Sequence, residues 1–224
     1  QHRRNRSVNI LHSGELEAFR PVTVPRPFHM HRALFFPHTG VDSVGNRIDQ
    51  VFGHGALGCR DDHLSRHARR ALEMSAEKSG ILLDALKQDE RKAPLPFNGT
   101  YWSITHKNEY VGGVVCPLPT GIDIEKICPR AKSLFKKTAD EAEWALADTT
   151  LTTFFRYWTA KEAVLKAVGI GLRDLSKCRI HRVLDTHHLD VEYNDNNWQI
   201  EHYFFDNHIA SIVKNDFLIE WTIV

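Results

Sequence analysis

The chain has 224 residues, of which 42% are hydrophobic and 25% charged, so a folded core is expected rather than disorder. A net charge of +1 excludes the basic field of proteins that bind nucleic acid regardless of sequence, and no such partner is expected. No apolar run approaches the ~20 residues of a membrane span, and no apolar stretch follows the N-terminal arginines. We expect a cytoplasmic protein whose four cysteines are free thiols.

The first part of the chain predicts a few short strands and at least one helix. Residues 1–58 contain only short apolar pieces, such as 33–36, which we interpret as strands and loops. Apolar residues recur at helical spacing over residues 61–86, which predicts one or two helices interrupted at Gly80. After a polar loop, strands are predicted over 101–116 and 121–127.

The second part predicts two helices followed by β-structure. Thr138-x-x-Glu141 has the form of a capping box, so a helix is expected from there to about residue 147. A longer helix is predicted over residues 151–168, ending at Gly169. Five β-rich segments follow, at 178–183, 189–193, 198–205, 208–213 and 217–224. Helices and strands are grouped rather than alternating, which favours an α+β fold.

The segment Gly121-Ile122-Asp123-Ile124-Glu125 carries two carboxylates at alternate positions. Side chains alternate across a strand, so both carboxylates point one way, about 7 Å apart, while the two isoleucines point into the core. Two such carboxylates can share a hard cation. The alternative is an edge strand with a solvated polar face.

A second feature lies on the long predicted helix, in the segment WTAKEAVLKA. Trp158, Glu162 and Lys166 are spaced by four and share one helix face. The glutamate and lysine could form an exposed ion pair contributing ~0.3–0.5 kcal/mol. The tryptophan argues instead for a partly buried face, and a carboxylate and an ammonium there suggest a site for a metal and a phosphate.

A third feature is the segment Ser103-Ile104-Thr105-His106, which follows a loop containing Arg91 and Lys92. A hydroxyl, an imidazole and two cations near a strand could cradle a phosphate. The alternative is a loop with ordinary surface charge.

Taken in this order, the segments SITH, GIDIE and WTAKEAVLK resemble the motifs of the 4′-phosphopantetheinyl transferase superfamily. The resemblance covers roughly residues 92–172 and includes the FFRYW and GIGL segments that flank the helix motif. It implies a Mg²⁺-dependent enzyme that transfers phosphopantetheine from coenzyme A to a serine of an apo carrier protein and releases adenosine 3′,5′-bisphosphate.

The superfamily has a short, trimeric branch that resembles holo-acyl-carrier-protein synthase. Its longer branch resembles the surfactin-synthetase activator and the enterobactin-type enzymes, and 224 residues fit that branch. The resemblance then implies an α+β monomer of two similar α/β halves with pseudo-twofold symmetry. The Pro-rich stretch 117–120 is the candidate boundary. Residues 1–118 would supply coenzyme A phosphate contacts, and residues 119–224 the metal-binding carboxylates and catalytic helix.

The resemblance assigns roles to individual residues. Asp123 and Glu162 are the first-choice Mg²⁺ ligands, and Glu125 completes the set directly or through water. Lys166 contacts the pyrophosphate, so the expected catalytic group comprises Glu162, Lys166 and Asp123. The general base stays open between Glu162, Glu125 and a metal-bound water.

Further residues are expected to contact coenzyme A. Lys92, Thr105 and His106 correspond to the family's contacts to the 3′-phosphate. Arg66 and Arg91 are candidates for other phosphate contacts, and Lys161 for holding the phosphate or orienting the carboxylates. Lys107 departs from the family, which often has a small polar residue there, and this puts the fine geometry of the phosphate pocket in question.

Two rival functions are compatible with the same residues. A Mg²⁺-dependent hydrolase could cleave coenzyme A with water as acceptor, or a non-catalytic protein could bind coenzyme A or a carrier. The complete set Asp123, Glu125, Glu162 and Lys166 argues against a pure binder. The pattern identifies neither the carrier nor the surface on which it docks.

Overall fold

The computed structural model describes residues 30–37 and 57–223. The strands of this part of the chain are β1 (Met30–Pro37), β2 (Tyr101–His106), β3 (Tyr110–Cys116), β4 (Ile122–Lys126), β5 (Arg179–Val183), β6 (His188–Tyr193), β7 (Asn196–Phe205), β8 (His208–Val213) and β9 (Leu218–Ile223). The helices are α1 (Leu57–Ser79), α2 (Lys132–Thr138), α3 (Glu141–Trp144) and α4 (Leu151–Val168), with a 3₁₀ helix at Gly171–Lys177.

The strands form two sheets, each covered by one long helix. The first sheet has the order β2-β3-β1-β9, with β9 parallel to β1 and the other pairs antiparallel. The second is antiparallel, with the order β4-β8-β7-β6-β5. Helix α1 packs on β1, β2 and β3, and α4 packs on β4 and β8. The predicted α+β class is confirmed, while pseudo-twofold symmetry stays a prediction.

The predicted boundary at 117–120 lies between β3 and β4, which belong to different sheets. The final strand β9 returns to the first sheet, where Ala33 pairs with Trp221. A division at residue 118 therefore does not separate two self-contained sheets, because the chain's last strand completes the sheet that begins with β1.

Strand β4 lies where the two sheets meet. Its Ile122 and Ile124 pack in a buried cluster with Val114 of β3 and Ile212 of β8. The Ile122 backbone N–H donates to the Ser103 hydroxyl of β2 at 3.2 Å. The edge of the second sheet is therefore covered by the first sheet, and the solvated-edge interpretation of this strand is wrong.

Helix α4 has the predicted limits, and its end groups explain why. The Thr150 hydroxyl accepts a hydrogen bond from Thr153 N at 3.1 Å, which caps the N-terminus. Gly169 adopts the left-handed conformation with φ 78° and closes the C-terminus. Both ends are thus encoded by single residues that satisfy free backbone groups.

The capping box predicted at Thr138 is wrong. Thr138 is the last residue of α2, and its hydroxyl donates to Leu134 O at 2.8 Å. The box is formed by Asp140, which accepts from Glu143 N, and Glu143, which accepts from Asp140 N, both at 2.9 Å. The extended Ala139 separates two short helices, so the aspartate is the residue placed to cap the second.

Cys116, Cys128 and Cys178 are free, as predicted, whereas the Cys59 side chain lies outside the described residues. No helix within 30–37 and 57–223 has the length and hydropathy required to cross a membrane. The prediction for residues 33–36 is confirmed by β1, and the rest of the predictions for residues 1–56 fall outside the described ranges.

Candidate active site

The two carboxylates of β4 face away from the isoleucine cluster and are themselves buried. Asp123 is 5% exposed and Glu125 is 8% exposed. A strand presents alternate side chains to opposite faces, so the carboxylates share the face turned toward α4, on which the strand packs. Buried carboxylates require compensating charges or donors, and the neighbouring elements supply them.

Gly121 permits β4 and α4 to approach each other unusually closely. A Cβ at this position would stand 1.9 Å from the carbonyl oxygen of Ala163 and 2.7 Å from the nitrogen of Ala167. Only glycine fits this contact, so the first residue of the GIDIE segment places the strand directly against the helix that carries Glu162 and Lys166.

Trp158, Glu162 and Lys166 are half-buried on α4, as the spacing predicts. Burial is the main cause that raises the pKa of Glu162 to about 7, and the neighbouring charge of Asp123 raises it further. Glu125 acts in the same direction, while Lys166 opposes it. Carboxylates of β4 and α4 are thus close enough to influence one another, and a cation here would relieve their repulsion.

The Lys166 ammonium joins the predicted segments. It donates to Asp123 Oδ1 at 2.7 Å, to the Ile122 carbonyl at 3.0 Å and to the Thr105 hydroxyl at 3.3 Å. The Thr105 hydroxyl in turn donates to Asp123 Oδ1 at 3.3 Å. Three segments far apart in sequence therefore meet at one carboxylate oxygen.

The donor set fits a hard cation. Asp123 Oδ2 is buried and has no hydrogen-bond partner among the described residues, so one oxygen remains available to a ligand. Within residues 30–37 and 57–223, no three histidine, cysteine, aspartate or glutamate side chains converge to enclose an ion. Mg²⁺ does not need such a cage, since it commonly combines one or two carboxylates with waters and substrate phosphate oxygens.

A cavity of about 350 Å³ opens beside Lys166 at the end of α4. Arg91, Lys92, Lys166 and Arg173 line it, and no acidic residue of the described chain does. Such a lining favours an anion of high charge density, as a phosphate group is. A larger cavity of about 630 Å³, lined by His187, His202 and Trp221 among others, includes none of the predicted site residues.

Lys161, predicted to hold the phosphate or to orient the carboxylates, lies away from the cationic cavity. Its side chain is 1% exposed, pairs with Glu143 at 2.6 Å and donates to the Thr138 carbonyl at 2.7 Å. Adjacent residues on a helix point about 100° apart, so a position next to Glu162 does not bring Lys161 to the same face. Its ammonium is held in the core.

Two other predicted residues are not brought into the cavity. Arg66 is exposed on α1, and His106 is exposed at the end of β2. Neither lines the cationic cavity. Thr105, in contrast, lies at the centre of the site through its bonds to Asp123 and Lys166.

Arg173 and Arg130 were not predicted. Arg173 reaches the cationic cavity because Gly169 and Gly171, both with positive φ, turn the chain after α4. A basic residue just after a glycine-terminated helix would have been the only available signal. Arg130 lies 3.7 Å from Glu125 Oε2, and its guanidinium stacks over the Phe155 ring at 5.2 Å.

Comparisons with known proteins match the part of the chain that contains β4 and α4. A sequence model described as the 4′-phosphopantetheinyl transferase superfamily matches residues 119–217. The chain is 34% identical to the 4′-phosphopantetheinyl transferase psf-1 of Bacillus pumilus over 77 residues, which cover 32% of this chain and 33% of that relative. It is 28% identical to the 4′-phosphopantetheinyl transferase gsp of Aneurinibacillus migulanus over 91 residues, 38% of each chain.

These matches span between a third and two fifths of the length of the curated relatives. The comparisons support the predicted superfamily and branch. The match to the superfamily covers residues 119–217, which carry Asp123, Glu125, Glu162 and Lys166.

Proposed function

We propose that this protein transfers 4′-phosphopantetheine from coenzyme A to a serine of an apo carrier protein, with Mg²⁺, releasing adenosine 3′,5′-bisphosphate. The observation that supports it most is the position of Lys166, which contacts Asp123 and also lines the cationic cavity. One ammonium thus links a carboxylate suited to a metal with a pocket suited to phosphates.

Phosphoryl transfer depends mainly on positioning and charge stabilisation. Arg91, Lys92 and Arg173 would hold the phosphates of coenzyme A in the cavity. Lys166 would donate to the pyrophosphate, where negative charge develops as the bond to the leaving group breaks. The Thr105 hydroxyl holds Lys166 and Asp123 in position through its hydrogen bonds to both.

Asp123 and Glu162 would hold the cation, with Glu125 as a further ligand. Bound Mg²⁺ would supply neutralisation of the pyrophosphate charge. A cation held beside Glu162 would lower the pKa of this carboxyl from about 7 and keep it ionised as a ligand. A cytoplasmic monomer is part of the same proposal.

Intact-mass analysis of apo carrier proteins tests the transferase. Fatty-acid, polyketide and nonribosomal-peptide carriers are each incubated with the protein, coenzyme A and Mg²⁺. At least one carrier should gain the mass of phosphopantetheine, and its Ser→Ala variant should not. The Asp123→Asn enzyme should give no gain while its circular dichroism stays unchanged. Failure of every carrier in a broad panel would contradict the proposal.

The same assay without a carrier separates the transferase from a hydrolase. A transferase should leave coenzyme A intact until the carrier serine is supplied. Rapid release of adenosine 3′,5′-bisphosphate into carrier-free buffer would favour hydrolysis instead.

A further inference from the structure

Lys107 occupies a position from which it reaches the metal-facing side of β4. It follows β2, and its backbone N–H donates to the Tyr110 carbonyl at 2.7 Å, which fixes the turn into β3. Its ammonium lies 2.7 Å from Glu125 Oε1. The Lys107 side chain is 40% exposed and that of Glu125 is 11% exposed, so a solvent-side lysine neutralises a nearly buried carboxylate.

The two carboxylates of β4 differ in what their oxygens contact. Asp123 gives one oxygen to Lys166 and keeps Oδ2 without a partner among the described residues. Glu125 has a cation near each oxygen, Lys107 at Oε1 and Arg130 at Oε2, the latter at 3.7 Å. A metal could therefore join Asp123 without breaking an ion pair, but could join Glu125 only by displacing one.

Lys107 is the closer and the more exposed of the two cations beside Glu125. An exposed ammonium returns to water at little cost, whereas Arg130 also stacks on Phe155. The residue displaced by an incoming divalent ion is therefore Lys107. Its positive charge also opposes the ion electrostatically while it remains nearby.

This inference rests on the proposed function and its metal. We propose that Lys107 is a tethered competitor of the divalent cation at Glu125, and so sets the metal concentration at which the site fills. An ion pair of this exposure corresponds to a change of up to about fivefold in an equilibrium constant.

Direct metal binding tests the proposal without any turnover. Mn²⁺ is titrated into the protein alone, and free Mn²⁺ is followed by electron paramagnetic resonance. Lys107→Ser should bind Mn²⁺ about fivefold more tightly than the unmodified protein, and Lys107→Arg, which keeps the cation, should bind as the unmodified protein does. The matched control is Lys126→Ser, which removes the same charge from a lysine paired with the exposed Glu109.

A double-mutant cycle with Glu125→Gln isolates the pair, because the gain from Lys107→Ser should vanish when Glu125 cannot ionise. The melting temperature should fall in metal-free Lys107→Ser, since Glu125 loses its nearest cation, and should recover with Mn²⁺.

An unchanged affinity in Lys107→Ser, or an equal gain in Lys126→Ser, would overturn this inference and leave the transferase proposal standing. If no variant shows saturable Mn²⁺ binding, both the inference about Lys107 and the assignment of the metal ligands are wrong. The carrier-modification assay would still test the transferase proposal independently.

Discussion

Lys166 makes three hydrogen bonds and is 29% exposed, so its ammonium is held in place yet accessible from the cavity. A donor fixed before the reaction stabilises developing charge without reorganisation. The ion pair with Asp123 also explains why a lysine can lie next to candidate metal ligands. It neutralises one carboxylate oxygen, while Oδ2 has no hydrogen-bond partner among the described residues.

Replacing Lys166 by methionine should therefore lower kcat on the order of 100-fold, because one charged donor to the leaving phosphate is lost. Single-turnover transfer to a carrier serine measures this step. Lys177→Met is the matched control, since Lys177 is an exposed lysine paired with Asp174. A Lys166→Met enzyme within threefold of the unmodified rate would refute the role assigned to this lysine.

Arg173→Ala should raise KM for coenzyme A about tenfold and change kcat little, because it removes one of the cations that line the cavity. Steady-state kinetics at fixed carrier concentration measure both constants. Arg179→Ala removes a surface arginine paired with Asp140 and should leave KM unchanged. If KM is the same in both variants, the cavity does not bind coenzyme A.

At this scale the sequence predicts what strand and helix periodicity determine. Strand alternation correctly predicted that Asp123 and Glu125 face away from Ile122 and Ile124. Spacing by four correctly predicted that Glu162 and Lys166 lie close together. Periodicity did not reveal Arg173, because its position depends on the course of the chain after Gly171.

Helix α4 uses two of its faces for different purposes. Lys166 faces β4 and the cavity, whereas Lys161 pairs with Glu143 of α3. Five residues of an α-helix turn by about 140° beyond a full circle, which separates the two lysines. Glu143 also accepts the Ile180 N–H of β5 at 2.7 Å, so the buried ion pair ties α3, α4 and β5 together.

Lys161→Met should destabilise the protein by about 3–5 kcal/mol, because it leaves the Glu143 carboxylate buried without its cation. Urea denaturation measures the loss. Arg70→Met removes one partner of an exposed pair with Glu73 and should cost less than about 1 kcal/mol. Well below its melting temperature, the Lys161→Met variant should have the same KM for coenzyme A as the unmodified protein. A raised KM would favour the predicted contact of Lys161 with phosphate.

Elements with strong local signals were predicted well, and short ones were not. Helix α4 has a threonine cap and a terminal glycine, and its limits were predicted correctly. Helices α2 and α3 span only seven and four residues, too short to be stable outside the folded protein. Their positions depend on contacts such as the stacking of Phe135 on Trp144, which local sequence does not encode.

For the whole molecule, the site lies at the junction of the two sheets. Thr105 comes from the first sheet and Asp123 from the second, and they meet beside Lys166. The sequence predicted that these segments share one site, because their motifs and order resemble those of the superfamily. The parallel pairing of β9 with β1 was not predicted, because it joins segments about 190 residues apart and no short-range pattern records such a contact.

The second sheet contains a buried histidine that makes stability depend on pH. His202 is 1% exposed, and its Nδ1 lies 2.7 Å from the Ser211 hydroxyl. Burial lowers the pKa of His202 well below its usual value, and the charges of Arg156, His188 and His187 lower it further, opposed by Asp185. A histidine with a depressed folded-state pKa contributes full stability above its unfolded pKa of about 6.5, and that stability is lost as the pH falls below it.

The free energy of unfolding should therefore drop between pH 7.5 and pH 5.5 by up to about 1.4 kcal/mol on account of His202. Urea denaturation at both values measures the change, and the His202→Gln variant should show a drop smaller by that amount. NMR should show the His202 ring neutral in the native state throughout this range. An imidazole signal that titrates near pH 6.5 in the folded protein would contradict the assignment.

The contact of Gly121 with the backbone of α4 limits which members of this superfamily could share the arrangement described here. A side chain at that position would clash with the backbone of Ala163 and Ala167, so strand and helix would have to move apart. A homologue that replaces this glycine should therefore lack the close approach of strand and helix, even where it keeps every charged residue.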